Sequence, residues 1–142
     1  MLRRGYREAS VVVTHVLGEH HLTQLEYHLL LDLSCAVDGC GQSEISAHLQ
    51  APKTRISILV RGLEQRGLVE SVRPEEDRRQ VRVRLSPRGE EQLACTQQAI
   101  QQAMREFVKG LPPEDLISML QGALRKYLDL DVTITLAGIS AS

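Results

Sequence analysis

The sequence predicts a mainly α-helical fold with one small β-hairpin, and two observations support that prediction. Apolar residues recur at helical spacing in six separate segments, whereas only residues 68–85 follow the two-residue period of strands. Residues 74–80 are charged and turn-forming, and they would separate two short strands. The expected chain is therefore a set of helices from which a single hairpin projects.

The first two helices are predicted from an apolar stripe and a capping motif. The stripe runs over residues 4–17. The second helix begins with a capping box. In this motif the Thr23 side chain accepts a hydrogen bond from the amide of Glu26, and the Glu26 side chain accepts one from the amide of Thr23. This helix should end before the turn-forming residues 38–41.

The next two helices are closely spaced in the sequence. Ser43 is expected to cap a short third helix over residues 44–49. Pro52 suits the first turn of a fourth helix, and Gly67 suits the left-handed position just beyond its C-terminus. Two helices joined by a short turn, the second with a polar and basic outer face, are typical of a helix-turn-helix.

The hairpin follows the fourth helix directly. Its strands are expected over residues 68–73 and 81–85. Apolar and basic residues alternate strictly in the second strand, so one face should pack on the helices while the other presents Arg82 and Arg84. A hairpin in this place would form a wing beside the helix-turn-helix.

Two longer helices complete the chain, the first of them capped by Ser86. The apolar stripes of the first helix and the last two have no obvious place inside a winged helix, which predicts a two-fold dimer. The predicted division is a helical dimerisation region over residues 1–20 and 90–130, a winged helix-turn-helix over residues 22–89 and a tail over residues 131–142.

Composition excludes several classes of protein. No apolar run approaches the roughly 20 residues that a membrane span needs. The three cysteines are an odd number without framework spacing, which argues against a secreted disulfide scaffold. We therefore expect a cytoplasmic protein with no membrane segment. No phosphate loop, catalytic triad or carboxylate pair stands out, so neither an enzyme nor a cofactor is predicted.

Charge is unevenly distributed along the chain. The formal net charge is −1, but residues 53–88 carry ten basic and five acidic side chains. Phosphate contacts are screened beyond a Debye length of about 10 Å, so the local balance matters more than the total. This segment is either a nucleic-acid-binding surface or an ordinary solvated basic face.

Three motifs in the central part of the chain resemble the MarR family of winged helix-turn-helix transcriptional regulators. They are Gln42-Ser43-Glu44-Ile45-Ser46, Leu63-Glu64-x-x-Gly67-Leu68-Val69, and Asp77-x-Arg79 followed by Leu85-Ser86-x-x-Gly89. The resemblance implies a homodimer that binds double-stranded DNA, with the fourth helix in the major groove and the wing in or near the minor groove. It also implies a repressor, released from a pseudo-palindromic operator by a small aromatic or anionic effector.

Residue types on the fourth helix and the wing agree with DNA recognition. Short hydroxyls and guanidinium groups suit base edges in the major groove, and a planar guanidinium suits a narrow minor groove. The predicted DNA-binding residues are Ser43, Lys53, Thr54, Arg55, Ser57, Arg61, Asp77, Arg78, Arg79, Arg82 and Arg84. By the resemblance, Arg79 is the minor-groove residue and Asp77 braces the wing through an ion pair.

Several of these assignments have alternatives. Asp77 and Arg79 form either a DNA-binding wing or a purely structural turn. Arg82 and Arg84 either contact phosphates or lie on an exposed strand face. Ile58 stands where the family often has a polar or basic residue, and it either touches a thymine methyl group or packs against the third helix. A winged-helix protein-interaction module is the alternative to a DNA-binding protein.

The sequence offers three kinds of sensor. The candidate residues for an effector pocket are His15, Leu25, Tyr27 and His28, where an imidazole can pair with a ligand carboxylate. A thiol sensor would depend on Cys35 and Cys40, which flank the turn after the second helix. A metal sensor is weaker, because the tight ligand spacing of a structural zinc site is absent and no metal is predicted. Its weak candidate ligands are His15, His20, His21, His28 and Cys95.

Overall fold

The computed structural model describes the backbone of residues 2–128 and the side chains of residues 7–121. The elements in this part of the chain are α1 (Leu2–Glu19), α2 (Gln24–Ser34), β1 (Cys40–Gly41), α3 (Gln42–Leu49), α4 (Lys53–Gln65), β2 (Val69–Val72), β3 (Arg82–Leu85), α5 (Pro87–Lys109) and α6 (Pro113–Leu128). The predicted class, mainly α-helical with a small β-hairpin, is confirmed. The predicted tail over residues 131–142 lies outside the described residues.

Contacts within the chain divide it into two units. Among the described residues, one comprises 2–16 and 100–128, and the other comprises Leu17–Ala99. In the first unit Ala9 and Ile117 are buried, but Leu120 is 52% exposed. Among the described residues, no helix combines the length and the hydropathy that crossing a membrane requires.

The core of the second unit lies where α2, α3 and α4 meet the sheet. Its fully buried residues include Leu29, Leu30, Ile56, Leu63 and Val83. The helical members fall on one face of each helix, and Val83 lies on the apolar face of β3. The periodicity of the sequence predicted these inward positions, and burial of the side chains confirms them.

One carboxylate joins the beginning of α2 to the end of α4. The Glu26 side chain accepts from the Thr23 amide at 3.2 Å, and the Thr23 hydroxyl accepts from the Glu26 amide at 3.2 Å, so the predicted capping box is present. The other oxygen of Glu26 accepts from the Arg66 guanidinium at 3.0 Å. Since Glu26 is only 15% exposed, this ion pair is better shielded from water than a surface pair.

The third helix starts two residues earlier than predicted. Gly41 occupies the N-cap, so Ser43 lies inside the first turn and caps nothing. The cause is β1, which the sequence did not predict: Cys40 pairs with Val83 of β3, and this pairing holds the chain extended up to the first helical residue. Pro52 is also displaced by one position, to the N-cap of α4 rather than its first turn.

The turn between α3 and α4 is closed by its own hydrogen bonds. The Ala51 amide donates to the Ser46 carbonyl at 3.1 Å, and the Ser46 hydroxyl donates to the Ala51 carbonyl. Gln50 between them takes the left-handed conformation, with φ of 53°. These contacts fix the direction in which α4 leaves α3, as a helix-turn-helix requires.

The end of α4 forms a Schellman turn. Gly67 has φ of 74°, which confirms its predicted left-handed position. The Leu68 amide donates to the Leu63 carbonyl at 2.9 Å, and the Gly67 amide donates to the Glu64 carbonyl at 2.9 Å. The chain therefore leaves α4 in a fixed direction and enters β2 at the next residue.

The chain returns to this turn where α5 begins. The Ser86 amide donates to the Leu68 carbonyl at 3.1 Å, while the Ser86 hydroxyl donates to the Gly67 carbonyl and accepts from the Gly89 amide. A Cβ atom on Gly89 would lie 1.9 Å from the Leu68 oxygen, so only glycine fits. We call residues 67–68 and 86–89 the corner. These contacts explain why serine and glycine occupy positions 86 and 89 of the Leu85-Ser86-x-x-Gly89 motif.

We expect opposite effects on the free energy of unfolding from a glycine-to-alanine substitution in the corner and one inside α4. Gly89→Ala should lower the free energy of unfolding by about 1–3 kcal/mol, because the new methyl group forces backbone apart. Gly62→Ala is the matched control: it lies inside α4 with nothing within 4 Å of its Cβ position. It should raise that free energy by about 0.5–1 kcal/mol. Urea denaturation at fixed protein concentration measures both, and a Gly89→Ala protein as stable as the parent would contradict the packing described.

Candidate nucleic-acid interface

The outer face of α4 is polar and cationic. Ile56, Val60 and Leu63 face the core, which leaves the opposite side of the helix to solvent. The predicted residues Lys53, Thr54, Arg55 and Arg61 are all exposed there, and Ser57 is half-buried. The structure thus brings the five predicted α4 residues onto one side of a single helix.

Five of the predicted cations have no carboxylate partner. They are Lys53, Arg55 and Arg61 on α4, and Arg78 and Arg79 in the loop between β2 and β3. In the part of the chain that the structure describes, no acidic side chain lies within salt-bridge distance of any of them. Their charges are therefore available to an external anion without breaking an internal ion pair.

The tip of the hairpin is held by contacts to its own backbone. The Asp77 carboxylate accepts from the backbone amide of Arg79 at 3.1 Å, and the Arg73 guanidinium donates to the carbonyl of Arg78 at 2.8 Å. The expected brace at Asp77 is thus a hydrogen bond to backbone, rather than an ion pair with the Arg79 guanidinium. As a result, the side chains of both Arg78 and Arg79 remain exposed and outside ion pairs.

Both arginines of β3 form contacts within the chain. Arg84 donates to Glu70 at 3.1 Å, its direct cross-strand neighbour. Arg82 donates to the carbonyl of Gly39 at 2.9 Å and lies 3.9 Å from a carboxylate oxygen of Glu44. The geometry therefore gives both side chains a structural role, and any phosphate contact would use their remaining donors.

Two further residues of the helix-turn-helix complete the candidate interface. Ser43 is exposed in the first turn of α3. Ile58 is 71% exposed, so the alternative that it packs against α3 is wrong. The sequence interpretation missed Glu64, whose carboxylate accepts from the amide of Ser71 at 3.1 Å and ties α4 to β2. Its place in the motif at the α4 exit was the only signal of this role.

The sequence profile of the MarR family matches residues 22–81, from just before α2 to just before β3. Over these residues the chain is similar to the MarR family. This is the family that the motifs at both ends of α4 and in the wing indicated. No curated protein sequence matches the chain.

Solved structures share the fold over nearly the whole chain. A variant of S. aureus MepR bound to an oligodeoxyribonucleotide is 23% identical with a TM-score of 0.69, covering 89% of this chain and 92% of that one. E. coli MarR in its apo form is 20% identical with a TM-score of 0.71, covering 89% and 93%. Bordetella bronchiseptica BpsR, studied for regulation of its DNA binding by 6-hydroxynicotinic acid, is 22% identical with a TM-score of 0.66, covering 92% and 91%.

The candidate effector residues occupy two helices of the chain. His15 is exposed on α1, while Leu25, Tyr27 and His28 lie on α2. The rings of Tyr27 and His28 are tilted by 56° with centroids 6.2 Å apart. Burial raises the pKa of the Tyr27 hydroxyl, which therefore remains a neutral hydrogen-bond donor at neutral pH.

Two grooves open in the second unit, and neither is lined by the four candidate effector residues. One, of about 610 Å³, lies between the end of α2, the hairpin strands and the start of α5, and its lining includes Leu33, Val37, Arg84, Leu85 and Leu93. The other, of about 630 Å³, is more polar, and its lining includes His20, His21, Arg66 and Arg88. Both volumes fall in the range of about 300–1,000 Å³ that small ligands occupy.

The metal and thiol candidates are dispersed. Within the described residues, no group of three or more histidine, cysteine, aspartate or glutamate side chains is close enough to hold a metal ion. Cys35, Cys40 and Cys95 are free thiols, of which Cys35 and Cys95 are exposed and Cys40 is half-buried. Burial raises the pKa of the Cys40 thiol, and the nearby Glu44 carboxylate raises it further.

The raised pKa of the Cys40 thiol predicts slow alkylation of this cysteine at neutral pH. Only the thiolate is nucleophilic, so alkylation of Cys40 by iodoacetamide should begin at higher pH than alkylation of a free cysteine peptide. Removing the neighbouring charge with Glu44→Gln should move the profile back toward the peptide. Site-resolved mass spectrometry across pH 6–10 measures this. A Cys40 profile at or below that of the peptide would contradict the effect of burial and charge.

Proposed function

We propose that this protein is a sequence-specific, double-stranded-DNA-binding transcriptional repressor. The observation that supports this most directly is the set of unpaired cations on α4 and the hairpin tip, Lys53, Arg55, Arg61, Arg78 and Arg79. DNA offers a regular array of phosphates to such cations, and the hydroxyls of Thr54 and Ser57 on the same helix suit base edges. The similar MepR variant bound to an oligodeoxyribonucleotide supports the same conclusion.

The proposed assembly is a homodimer on a pseudo-palindromic operator. Along α5 the side chains of Ile100, Met104, Phe107 and Val108 are only half-buried in the single chain, and Leu120 of α6 is 52% exposed. A second copy that covers this stripe would remove apolar surface from water. In the proposal, residues 1–20 and 90–130 form the dimerisation region and residues 22–89 the DNA-binding region.

The proposed mechanism is recognition by two surfaces with different tasks. α4 enters the major groove, where Arg61 and Ser57 contact base edges, and the hairpin tip brings Arg79 to the minor groove. In a dimer the two recognition helices must be about 34 Å apart to meet successive turns of one DNA face. A small aromatic or anionic effector that favours another spacing would release the operator.

The effector part of the proposal has support from one structural neighbour and from one groove. BpsR is a protein whose DNA binding is regulated by 6-hydroxynicotinic acid, a small aromatic anion. The groove of about 610 Å³ in the present chain is bounded by the hairpin strands as well as by α5. The proposal includes a cytoplasmic location, where such a repressor would meet both DNA and metabolites, and it includes no enzymatic activity.

Salt dependence tests DNA binding against the protein-interaction alternative. The preferred duplex can be recovered by selection from a random DNA pool with the full-length protein. If six or more phosphates are contacted, affinity should fall by about 10³-fold or more between 50 and 200 mM salt. Affinity that stays flat over this range, or failure to enrich any duplex, would exclude the proposed function.

Two arginine substitutions should separate the two surfaces. Arg79→Ala should weaken binding to all sequences and reduce the salt slope by about one. Arg61→Ala should instead relax base preference at one position of each half-site, costing about 1–3 kcal/mol on the preferred duplex only, and Ser57→Ala should act in the same way.

Arg105→Ala is the matched control, because Arg105 is an exposed arginine on α5 outside the basic segment. Since α5 belongs to the proposed dimerisation region, size-exclusion chromatography checks that this variant keeps the oligomeric state of the parent. Fluorescence anisotropy on the selected duplex and on a scrambled duplex measures the three arginine variants. If both Arg61→Ala and Arg79→Ala bind the selected duplex as tightly as the parent, then α4 and the hairpin tip are not the DNA-binding surfaces.

A further inference from the structure

Ile58 is an exposed aliphatic side chain at the centre of the polar face of α4. It is the sixth residue of the helix, and 71% of its surface is accessible to solvent. A branched apolar residue at an exposed helix position contributes nothing to the core and has lower helix propensity than alanine. Folding of this chain therefore does not account for isoleucine at this position.

The helix positions around Ile58 carry polar or cationic side chains, or no side chain at all. Its neighbours one turn away are Thr54 and Arg55 on one side and Arg61 and Gly62 on the other. Gly62 has nothing within 4 Å of its Cβ position, so the space beside Ile58 is open. An apolar patch that docks a protein partner spans several hundred Å². A single aliphatic group among unpaired arginines is too small for that.

The chemistry of the DNA major groove contains one apolar group that suits such a side chain. Guanine, cytosine and adenine edges present hydrogen-bond donors and acceptors there, whereas thymine adds a 5-methyl group. An aliphatic side chain placed over a polar edge would take that edge out of water without replacing its hydrogen bonds. Placed over the thymine methyl group, it removes apolar surface of both partners from water.

We propose that Ile58 determines specificity by contacting the 5-methyl group of a thymine in the major groove. This inference rests on the proposed DNA-binding function and names one element of the sequence that α4 prefers. Ile58 lies within the first two turns of α4, the part of a recognition helix that reaches base edges. Because its Cβ is branched, it has one strongly preferred χ1 rotamer in a helix and loses little entropy about that bond on contact.

The test compares thymine with deoxyuridine, which lacks only the 5-methyl group and keeps the same hydrogen-bonding edge. Each thymine of the duplex selected with the full-length protein is replaced singly, and affinities are measured for the parent, Ile58→Ala and Val37→Ala. Val37 is 92% exposed and outside α4. It lines the groove of about 610 Å³, but the assays contain no effector, so Val37→Ala is a matched control for loss of an exposed apolar side chain. Thermal unfolding of all three proteins checks that their folds are equally stable.

At one thymine in each half-site, the deoxyuridine replacement should cost the parent and Val37→Ala about fourfold in affinity, the effect of burying one methyl group. Ile58→Ala should bind the two duplexes equally, since the contact is already lost. The comparison forms a double-mutant cycle, so changes in DNA stiffness that are common to all three proteins cancel.

The outcomes distinguish this inference from the function on which it rests. If a duplex is selected and loses affinity steeply with salt, but no deoxyuridine position affects the parent more than Ile58→Ala, the role of Ile58 is overturned and DNA binding stands. If no duplex is enriched at all, both are overturned. Equal sensitivity of the parent and Ile58→Ala at every thymine would assign the methyl preference to another residue.

Discussion

A turn of two residues, Gly67 and Leu68, links the end of α4 to the beginning of both the hairpin and α5. The Leu68 amide closes the Schellman turn, and the Leu68 carbonyl accepts from Ser86 at 3.1 Å. Gly89 packs against the same carbonyl at a distance that no side chain tolerates. Because these contacts share one residue, Leu68, the direction of α4, the pairing of the strands and the start of α5 are set together.

The arginines of the hairpin differ in their contacts according to their distance from the corner. The strands that leave it are short, and their arginines Arg82 and Arg84 lie close to carboxylates of α3 and β2. Beyond the strands, the guanidinium groups of Arg78 and Arg79 form no ion pair in the described part of the chain, although Glu75, Glu76 and Asp77 lie in the same loop. The arginines are thus held by carboxylates where the hairpin joins the body, whereas those at its tip and on α4 remain outside ion pairs. An anion that binds this surface can therefore pair with the arginines of α4 and of the hairpin tip.

The sequence predicted the parts of the fold that depend on local rules. The capping box at Thr23, the left-handed Gly67 and the inward face of α4 follow from capping chemistry and periodicity, and all three were confirmed. The strand β1 could not be predicted, because its pairing with Val83 joins residues more than forty positions apart. The partners of Arg82 and Arg84 could not be predicted for the same reason: they depend on which elements become neighbours in space.

The hydrogen bonds of the hairpin tip allow the sequence and the length of this loop to vary. The contacts of Arg73 with Arg78, and of Asp77 with Arg79, stay within the loop between β2 and β3. Residues of this loop can therefore be exchanged, lengthened or shortened without disturbing the core beneath. The corner allows no such freedom, because a single added carbon at Gly89 displaces backbone. The loop between β2 and β3 can thus vary while the strands and the corner that carry it stay fixed, which makes this loop a natural place to engineer altered groove contacts.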